Sequence, residues 1–125
     1  MKLSEEITNV LLHAEAKALA TMSNNDINVV PVSSVKVVDN KIWLIDYFFD
    51  KTRKNCKTNP KVALTFWIGL RGYQIKATTK YITEGNDFDT ATNWIAKTHP
   101  NRLVNGLLIL TADEVFDISI HNKRI

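Results

Sequence analysis

The sequence predicts one α+β domain, mainly β, in which six to seven antiparallel strands close into a small barrel with short flanking helices. Short runs of β-branched and aromatic residues recur through the middle of the chain, and turn residues separate them. Strands at such close spacing usually close into an antiparallel barrel. The 125 residues can bury one core, and no repeat or Pro/Gly-rich linker divides them. We therefore expect a single domain over residues 1–125.

The first predicted element is an N-terminal helix that begins after Ser4. The Ser4 side chain can cap this helix, and Glu5 and Glu6 then occupy the first turn, where the helix dipole favours negative charge. Apolar residues recur at helical spacing and form one face: Ile7, Val10, Leu11, Ala14 and Ala18. The pattern changes around Lys17, where a short apolar run over 18–22 leads into a polar turn over 23–26.

The remaining elements are predicted mainly as strands. Runs rich in β-branched and aromatic residues predict strands over 27–32, 35–38, 42–48, 62–68, 73–83, 107–110 and 115–120. Residues 51–59 predict a short helix that Pro60 ends, and residues 69–72 predict a flexible connection. A third helix follows the turn at 84–87 and presents four residues on one face: Phe88, Ala91, Trp94 and Ile95.

The motif content argues against catalysis by the protein's own side chains. The sequence has no G-x-S-x-G nucleophile motif, and its three histidines lie far apart without zinc-type spacing. With four glycines, it also lacks a Walker loop and a dinucleotide fingerprint. If the protein is an enzyme, we expect a cofactor to carry the chemistry, and we name no catalytic residue and no metal ligand.

Three features predict a cytoplasmic protein that does not enter the membrane. Cys56 is the single cysteine, which fits a reducing compartment. The N-terminus lacks the charged-then-apolar layout of a signal peptide. No apolar run approaches the roughly 20 residues that a membrane-spanning helix needs.

The net charge is only +3, but five cations fall within one stretch that contains no acid: Lys51, Arg53, Lys54, Lys57 and Lys61. Such a cluster either binds an anion or is a solvated face. At its start, residues 50–55 follow a predicted strand directly and open a helix. Thr52 could cap that helix, and the free backbone N–H groups there would favour a phosphate monoester. Lys51 would supply charge and Thr52 a hydroxyl, although such turns are also common without a ligand.

An ordered series of short segments runs from residue 18 to about residue 120. In order, the segments are Ala18-Leu19-Ala20-Thr21-Met22, residues 30–39, residues 42–47, Lys51-Thr52-x-x-Asn55, Asn59-Pro60-Lys61-Val62, residues 72–77 with Tyr81, and Thr83-Glu84-Gly85. This series resembles the FMN-binding split-barrel flavoproteins, the superfamily of pyridoxamine 5′-phosphate oxidase. The chain looks closest to the short FMN-binding members of that superfamily.

The resemblance implies a homodimeric split barrel that binds FMN without a covalent bond at the subunit interface. It implies that Lys51 and Thr52 hold the FMN phosphate at the strand-to-helix turn. Arg53 and Lys54 lie near enough to contribute charge to the same phosphate.

The resemblance also implies where the flavin ring lies. The ring would rest on second-strand residues, largely through their backbone groups: Pro31, Val32, Ser33 and Ser34. Asp46, one strand over, would help to hold the ring or the ribityl chain. Three residues of the second subunit are candidates to complete the pocket, with ordinary strand packing as the alternative: Trp67, Arg71 and Gln74.

The sequence departs from the family pattern in two places, one at the phosphate and one at the substrate. Pro31 stands where many oxidase relatives carry an arginine, so the phosphate would have one partner fewer. The sequence ends at Ile125 without the segment that binds the pyridoxal substrate in the true oxidase. The resemblance therefore implies a relative of the oxidase and not the true oxidase.

Four functions stay open at this point. The first is an FMN-dependent oxidoreductase whose flavin N5 exchanges a hydride or electrons with a small partner such as NAD(P)H. The second is an electron carrier or flavin-storage protein without its own substrate, and the third is a dimeric binding module that has lost the cofactor. The fourth is a barrel that binds nucleic acid through the basic stretch, with Tyr47, Phe48 and Phe49 stacking on bases. The short length of that stretch disfavours nucleic acid.

Overall fold

The computed structural model describes residues 1–121, which form three helices and seven strands. In chain order these are α1 Glu5–His13, β1 Ala16–Ser23, β2 Asp26–Pro31, β3 Val35–Val38, β4 Lys41–Asp46, α2 Asp50–Thr58, β5 Lys61–Ile68, β6 Arg71–Ile82, α3 Asn86–Thr98 and β7 Gly106–Asp117. Every strand pair is antiparallel. Within the described residues, no helix has the length and apolar character that crossing a bilayer requires.

The sheet curls into a barrel because of how its two edge strands are connected. The strand order is β2-β1-β5-β6-β7-β4-β3, so β2 and β3 lie at opposite edges. Four residue steps separate Pro31 at the end of β2 from Val35 at the start of β3, and an extended chain of that length spans at most about 14 Å. Seven strands laid flat would place the two edges roughly 29 Å apart. The sheet must therefore bend until its edges approach each other.

Apolar side chains fill two separate cores. The barrel interior contains nine large and fully buried side chains: Leu11, Leu19, Ile42, Leu44, Leu64, Phe66, Ile75, Leu108 and Leu110. A second core forms where α3 covers the outer face of β4 and β7: Trp43, Ile45, Ala91, Ile95, Leu107 and Ile109. Side chains alternate across a strand, so β4 sends Ile42 and Leu44 inward and Trp43 and Ile45 outward. This burial of both faces explains why β4 is apolar almost throughout.

The predicted start of α1 is confirmed, but the predicted apolar face extends too far along the chain. The Ser4 Oγ accepts a hydrogen bond from the Ile7 N–H at 3.1 Å, as a capping residue does. The helix ends at His13, however, and Ala18 lies inside β1. That segment pairs with β2 on one side and β5 on the other, and it buries Leu19 and Thr21 in the barrel. The tertiary pairing overrides the helical spacing of Ala18.

The prediction of two C-terminal strands is wrong, because β7 is continuous from Gly106 to Asp117. Lys76 pairs with Glu114 and Ala77 with Ala112, so Asp113 is an extra residue in β7. Such a bulge lets the ladder continue past an unpaired residue. The polar residues around Asp113 therefore belong to the bulge, and they do not end one strand and begin another. The predicted number of strands is nevertheless right, since β1 takes the place of the extra one.

Candidate functional site

A groove lies between the end of β2 and the segment that joins β4 to α2. It encloses about 610 Å³, and we call it the β2–α2 groove. Its lining residues are Glu15, Lys17, Val30, Pro31, Val32, Ser33, Ile45, Tyr47, Phe48 and Phe49. Three of the four residues predicted to face the flavin ring therefore lie together in one groove.

Ser34, the fourth of those residues, is buried just beyond the groove. Its Oγ lies 2.8 Å from the Tyr47 hydroxyl, and its carbonyl accepts a hydrogen bond from the Ile45 N–H at 3.3 Å. On the other side, the Val32 N–H donates to the Lys17 carbonyl at 3.0 Å. The link between β2 and β3 is thus tied to both neighbouring strands, and it forms a fixed wall of the groove.

Asp46 organises the turn from β4 into α2. The side chain is 2% exposed, and its two oxygens have different partners. Oδ1 accepts the Phe49 N–H at 2.6 Å, and Oδ2 accepts the Tyr81 hydroxyl at 2.5 Å. Burial, followed by the hydrogen bond to Asp46 and its negative charge, raises the pKa of Tyr81 well above its ordinary value of 10.0. Tyr81 therefore stays protonated and keeps donating to the carboxylate. Both oxygens of Asp46 are occupied within the protein.

Arg53 lies at the same turn, one helical turn after Phe49. Its backbone N–H donates to the Phe49 carbonyl at 3.0 Å, and its positive charge acts on Tyr81. Its Nε is buried and has no hydrogen-bond partner within residues 1–121. A buried donor without a partner costs about 1–3 kcal/mol. The Nε of Arg53 is therefore a donor whose hydrogen-bonding capacity no group within residues 1–121 uses.

The predicted capping role of Thr52 is wrong. The helix begins two residues earlier, at Asp50, and Phe49 occupies the N-cap position without a side-chain cap. Thr52 is consequently inside the first turn, fully buried, and its Oγ1 accepts a hydrogen bond from Asn28 Nδ2 at 2.9 Å. This bond holds α2 against β2. A direct contact between Thr52 and a phosphate stays a prediction.

The remaining basic residues of α2 are exposed. Lys54 forms an ion pair with Asp50 at 3.4 Å, and exposed pairs of this kind contribute only about 0.3–0.5 kcal/mol. Lys61, at the start of β5, pairs with Asp113 at 3.2 Å. Lys51 forms no ion pair with the residues that the structure describes. Its ammonium is therefore available to an anion at the helix start.

The three residues predicted to come from a second subunit lie on the hairpin of β5 and β6. None of them lines the β2–α2 groove of the described chain. Arg71 forms an ion pair with Glu6. Trp67 is 41% exposed and sits opposite Ala16, while Gln74 pairs with Thr65. Their contact with a flavin would require a second copy of the chain.

Several residues at this site were not predicted, and two of them show why: Lys17 and Gly106. Lys17 lines the groove, its Nζ donates to the Ala14 carbonyl at 2.9 Å, and burial lowers its pKa. Gly106 pairs with Asp46, and a Cβ there would lie 2.1 Å from the Tyr81 hydroxyl oxygen. Lys17 could have been noticed in the sequence, because it is a charged residue within an alanine-rich segment. The packing of Gly106 against Tyr81 leaves no signal in a single sequence.

The sequence and the fold together identify the family. The model of the family described as pyridoxamine 5′-phosphate oxidase matches residues 3–119. The chain belongs to this family. An uncharacterized protein of Methanocaldococcus jannaschii is 31% identical over 123 residues, which is 94% of this chain and 82% of that protein.

Several solved structures have the same fold. HupZ from Group A Streptococcus matches with a TM-score of 0.84 and 20% identity, over 94% of this chain and 95% of that one. An FMN-binding protein from Syntrophomonas wolfei matches with a TM-score of 0.79 and 17% identity, over 93% and 85%. HutZ, a heme storage protein from Vibrio cholerae, matches with a TM-score of 0.72 and 13% identity, over 94% of this chain and 95% of that one. The predicted antiparallel split barrel and its resemblance to this superfamily are confirmed.

Proposed function

We propose that this chain binds FMN in the β2–α2 groove, with the phosphate at the first turn of α2. The observation that carries the proposal is the buried Nε of Arg53, which lacks a partner within residues 1–121. A phosphate oxygen would supply that partner through a charge-assisted hydrogen bond. Phe49 connects the two parts of the site, because it lines the groove and precedes the first residue of α2.

The first turn of α2 has the features of an anion site. The first hydrogen bond within the helix runs from the Arg53 N–H to the Phe49 carbonyl, so the N–H groups of residues 50–52 precede the helical ladder. Free N–H groups at a helix start attract phosphates. Lys51 adds a charge that forms no ion pair within residues 1–121, and the ion pair between Lys54 and Asp50 offsets the one acid of this turn.

The groove suits the flat ring of a flavin. Its volume of about 610 Å³ falls within the range of roughly 300–1,000 Å³ that is typical of ligand sites. Its walls are largely apolar, with Pro31 and Val32 on one side and Phe48 and Phe49 on the other. When bound, FMN would exchange a hydride or electrons with a small partner. The protein would hold the phosphate, cover the ring and place the Lys17 ammonium at the edge of the groove.

The proposal includes a homodimer, because one face of the barrel is apolar and exposed. Ile27 and Val29 on β2 are 71% and 61% exposed, and the pairing register places Met22 and Ala20 beside them on β1. Contiguous apolar surface of this kind is typical of protein–protein interfaces and supports the proposed dimer. Trp67 lies on the same face of the sheet, so in such a dimer it would lie at the subunit interface.

Two other ligands receive less support from the site. Haem iron is held by histidine, cysteine, methionine or tyrosine, and within the described residues only Tyr47 among these types lines the groove. Nucleic acid would need a continuous cationic surface, but Lys54 and Lys61 are already paired with acids. We therefore favour FMN over both. Within the flavoprotein assignment, we favour an oxidoreductase over an electron carrier or a flavin-storage protein.

The test is a titration of the purified protein with FMN and, separately, with riboflavin, followed by flavin fluorescence and visible absorption. We expect FMN to bind more tightly than riboflavin, because only FMN carries the phosphate. Arg53→Gln should weaken the binding of FMN by about 10–100-fold, which is the usual effect of losing a hydrogen bond to a charged group. The binding of riboflavin should stay nearly unchanged. Lys57→Gln is the matched control, because Lys57 is an exposed cation in the last turn of the same helix.

Equal binding of FMN and riboflavin, or an Arg53→Gln variant that binds FMN like the wild type, would refute the phosphate site. A protein that binds neither flavin would refute the flavoprotein assignment as a whole. Anaerobic addition of NADH or NADPH to the FMN complex then separates the roles. Reduction of the bound flavin supports an oxidoreductase, and a flavin reduced only by dithionite supports a carrier or a storage protein.

A further inference from the structure

A second cavity lies beside the β2–α2 groove and is formed largely by the loop from α3 to β7, which does not line that groove. It encloses about 460 Å³ between the β2–β3 link and the loop from α3 to β7, and we call it the α3–β7 pocket. Residues that line it include Ser33, Tyr47, Phe48, Arg102, Leu103 and Asn105. Ser33, Tyr47 and Phe48 also line the groove. A ligand in the pocket would therefore lie next to the occupant of the groove.

The wall between the two cavities is held in place before any ligand binds. The Tyr47 hydroxyl lies 2.8 Å from Ser34 Oγ, and the Tyr47 carbonyl accepts Asn105 Nδ2 at 2.6 Å. The guanidinium of Arg102 lies 5.2 Å from the centre of the Tyr47 ring. The Asn105 N–H also donates to the Asp46 carbonyl at 2.8 Å, which ties the loop to β4. Binding here would require little ordering of the chain.

The charge in the pocket favours an anion. Arg102 is the one charged residue among its lining residues, and it forms no ion pair within residues 1–121. A guanidinium presents two parallel N–H donors that match the two oxygens of a carboxylate. A phosphate monoester carries nearly two charges and would need a second cation, which the lining does not provide.

The apolar part of the pocket favours a flat ligand. Phe48 is 93% exposed at the boundary that the two cavities share, and the exposed side chain of Leu103 lies on the same lining. An exposed aromatic face provides a surface on which another ring can stack. Such exposure of a phenyl ring in a cavity wall is costly in water unless something covers it.

We propose that the α3–β7 pocket binds an aromatic or conjugated carboxylate, with the carboxylate on Arg102 and the ring on Phe48, next to the flavin. This inference rests on the proposed FMN site for its role, since it names the class of small molecule that would meet the flavin. The binding of the anion depends only on the pocket. It can therefore be measured in protein that contains no flavin.

The test is an NMR titration of flavin-free protein with benzoate, and a parallel titration with benzyl alcohol, which keeps the ring and lacks the charge. We expect saturable benzoate shifts at the amides of Tyr47, Phe48 and Asn105, and at least tenfold weaker binding of benzyl alcohol. Arg102→Gln should weaken the binding of benzoate by about tenfold or more, because the substitution removes the charge and the paired donors. Phe48→Ala should weaken both probes.

Lys97→Gln is the matched control, because it removes an exposed cation from the last turn of α3 without touching the pocket. It should change benzoate binding less than twofold. Absence of saturable benzoate binding, or equal losses in the Arg102 and Lys97 variants, would overturn the pocket. In protein loaded with FMN, benzoate should perturb the flavin absorption. Saturable benzoate binding without that perturbation would overturn the placement beside the flavin, and failure of FMN to bind would refute only the proposed function.

Discussion

Gly106→Ala should be among the most damaging single changes in this protein, although the change adds only one methyl group. The new Cβ would lie 2.1 Å from the hydroxyl oxygen of Tyr81 and 2.3 Å from its Cζ. The tyrosine ring must therefore move, and its hydrogen bond to Asp46 breaks. A hydrogen bond to a charged group contributes about 1.5–3 kcal/mol. Overpacking adds about 1–3 kcal/mol, so we expect a total loss of roughly 2.5–6 kcal/mol.

Urea unfolding followed by tryptophan fluorescence measures this loss, because the buried Trp43 reports on the fold. Tyr81→Phe, which removes the hydroxyl and keeps the ring, should cost only about 1.5–3 kcal/mol. In a Tyr81→Ala background the ring is gone, so Gly106→Ala should then cost little. The reasoning is refuted if Gly106→Ala costs less than about 1 kcal/mol, or if its cost is the same with and without the Tyr81 ring.

Three other predictions follow from the same structure. Stability should fall as the pH rises above about 10, because the unfolded chain loses the Tyr81 proton there while the folded chain, with its raised pKa, retains it. Urea midpoints between about pH 9 and pH 11 should show a smaller fall for Tyr81→Phe, and an equal fall would contradict the assignment. Thr52→Val should cost about 1–3 kcal/mol in urea unfolding, because it leaves the amide of Asn28 without its acceptor; a cost near zero would mean that this bond does not hold α2. Ile27→Lys should convert a dimer to a monomer in analytical ultracentrifugation, whereas Leu12→Lys, at an exposed apolar residue on α1, should not; a wild type that is already monomeric would refute the dimer.

Local patterns predicted most of the strands and helices, because most segments have a period that matches their final structure. Over residues 73–77, β6 alternates between buried residues and more exposed ones, and β4 is apolar on both faces because α3 covers it from outside. The prediction failed where tertiary pairing decided the outcome. Ala18 fits a helix in isolation, but two neighbouring strands hold it in β1, and the bulge at Asp113 joins two apparent strands into one.

The candidate site was predicted in part for the same reason. Residues next to each other in sequence, such as those of the turn before α2, were found from their order alone. Phe48 was proposed to stack on bases, but its place between two cavities depends on the loop after α3, which is more than fifty residues away. The partner of Thr52 is likewise on another element, so its burial was not foreseeable from the helix.

Asp46 connects the barrel, the helix and both cavities through its own hydrogen bonds, while its predicted contact with the flavin stays a prediction. One oxygen fixes the N-cap residue of α2, the other fixes Tyr81 on β6, and its carbonyl accepts the N–H of Asn105 from the loop of the α3–β7 pocket. Removing the carboxylate would therefore disturb the turn that precedes α2, whether or not a ligand contacts Asp46. Asp46→Asn retains an acceptor for the Phe49 N–H and removes the charge, so we expect it to retain more FMN affinity than Asp46→Ala. If Asp46 instead contacted the flavin through its charge, the two variants would lose the same affinity, and flavin titrations of the pair distinguish these cases.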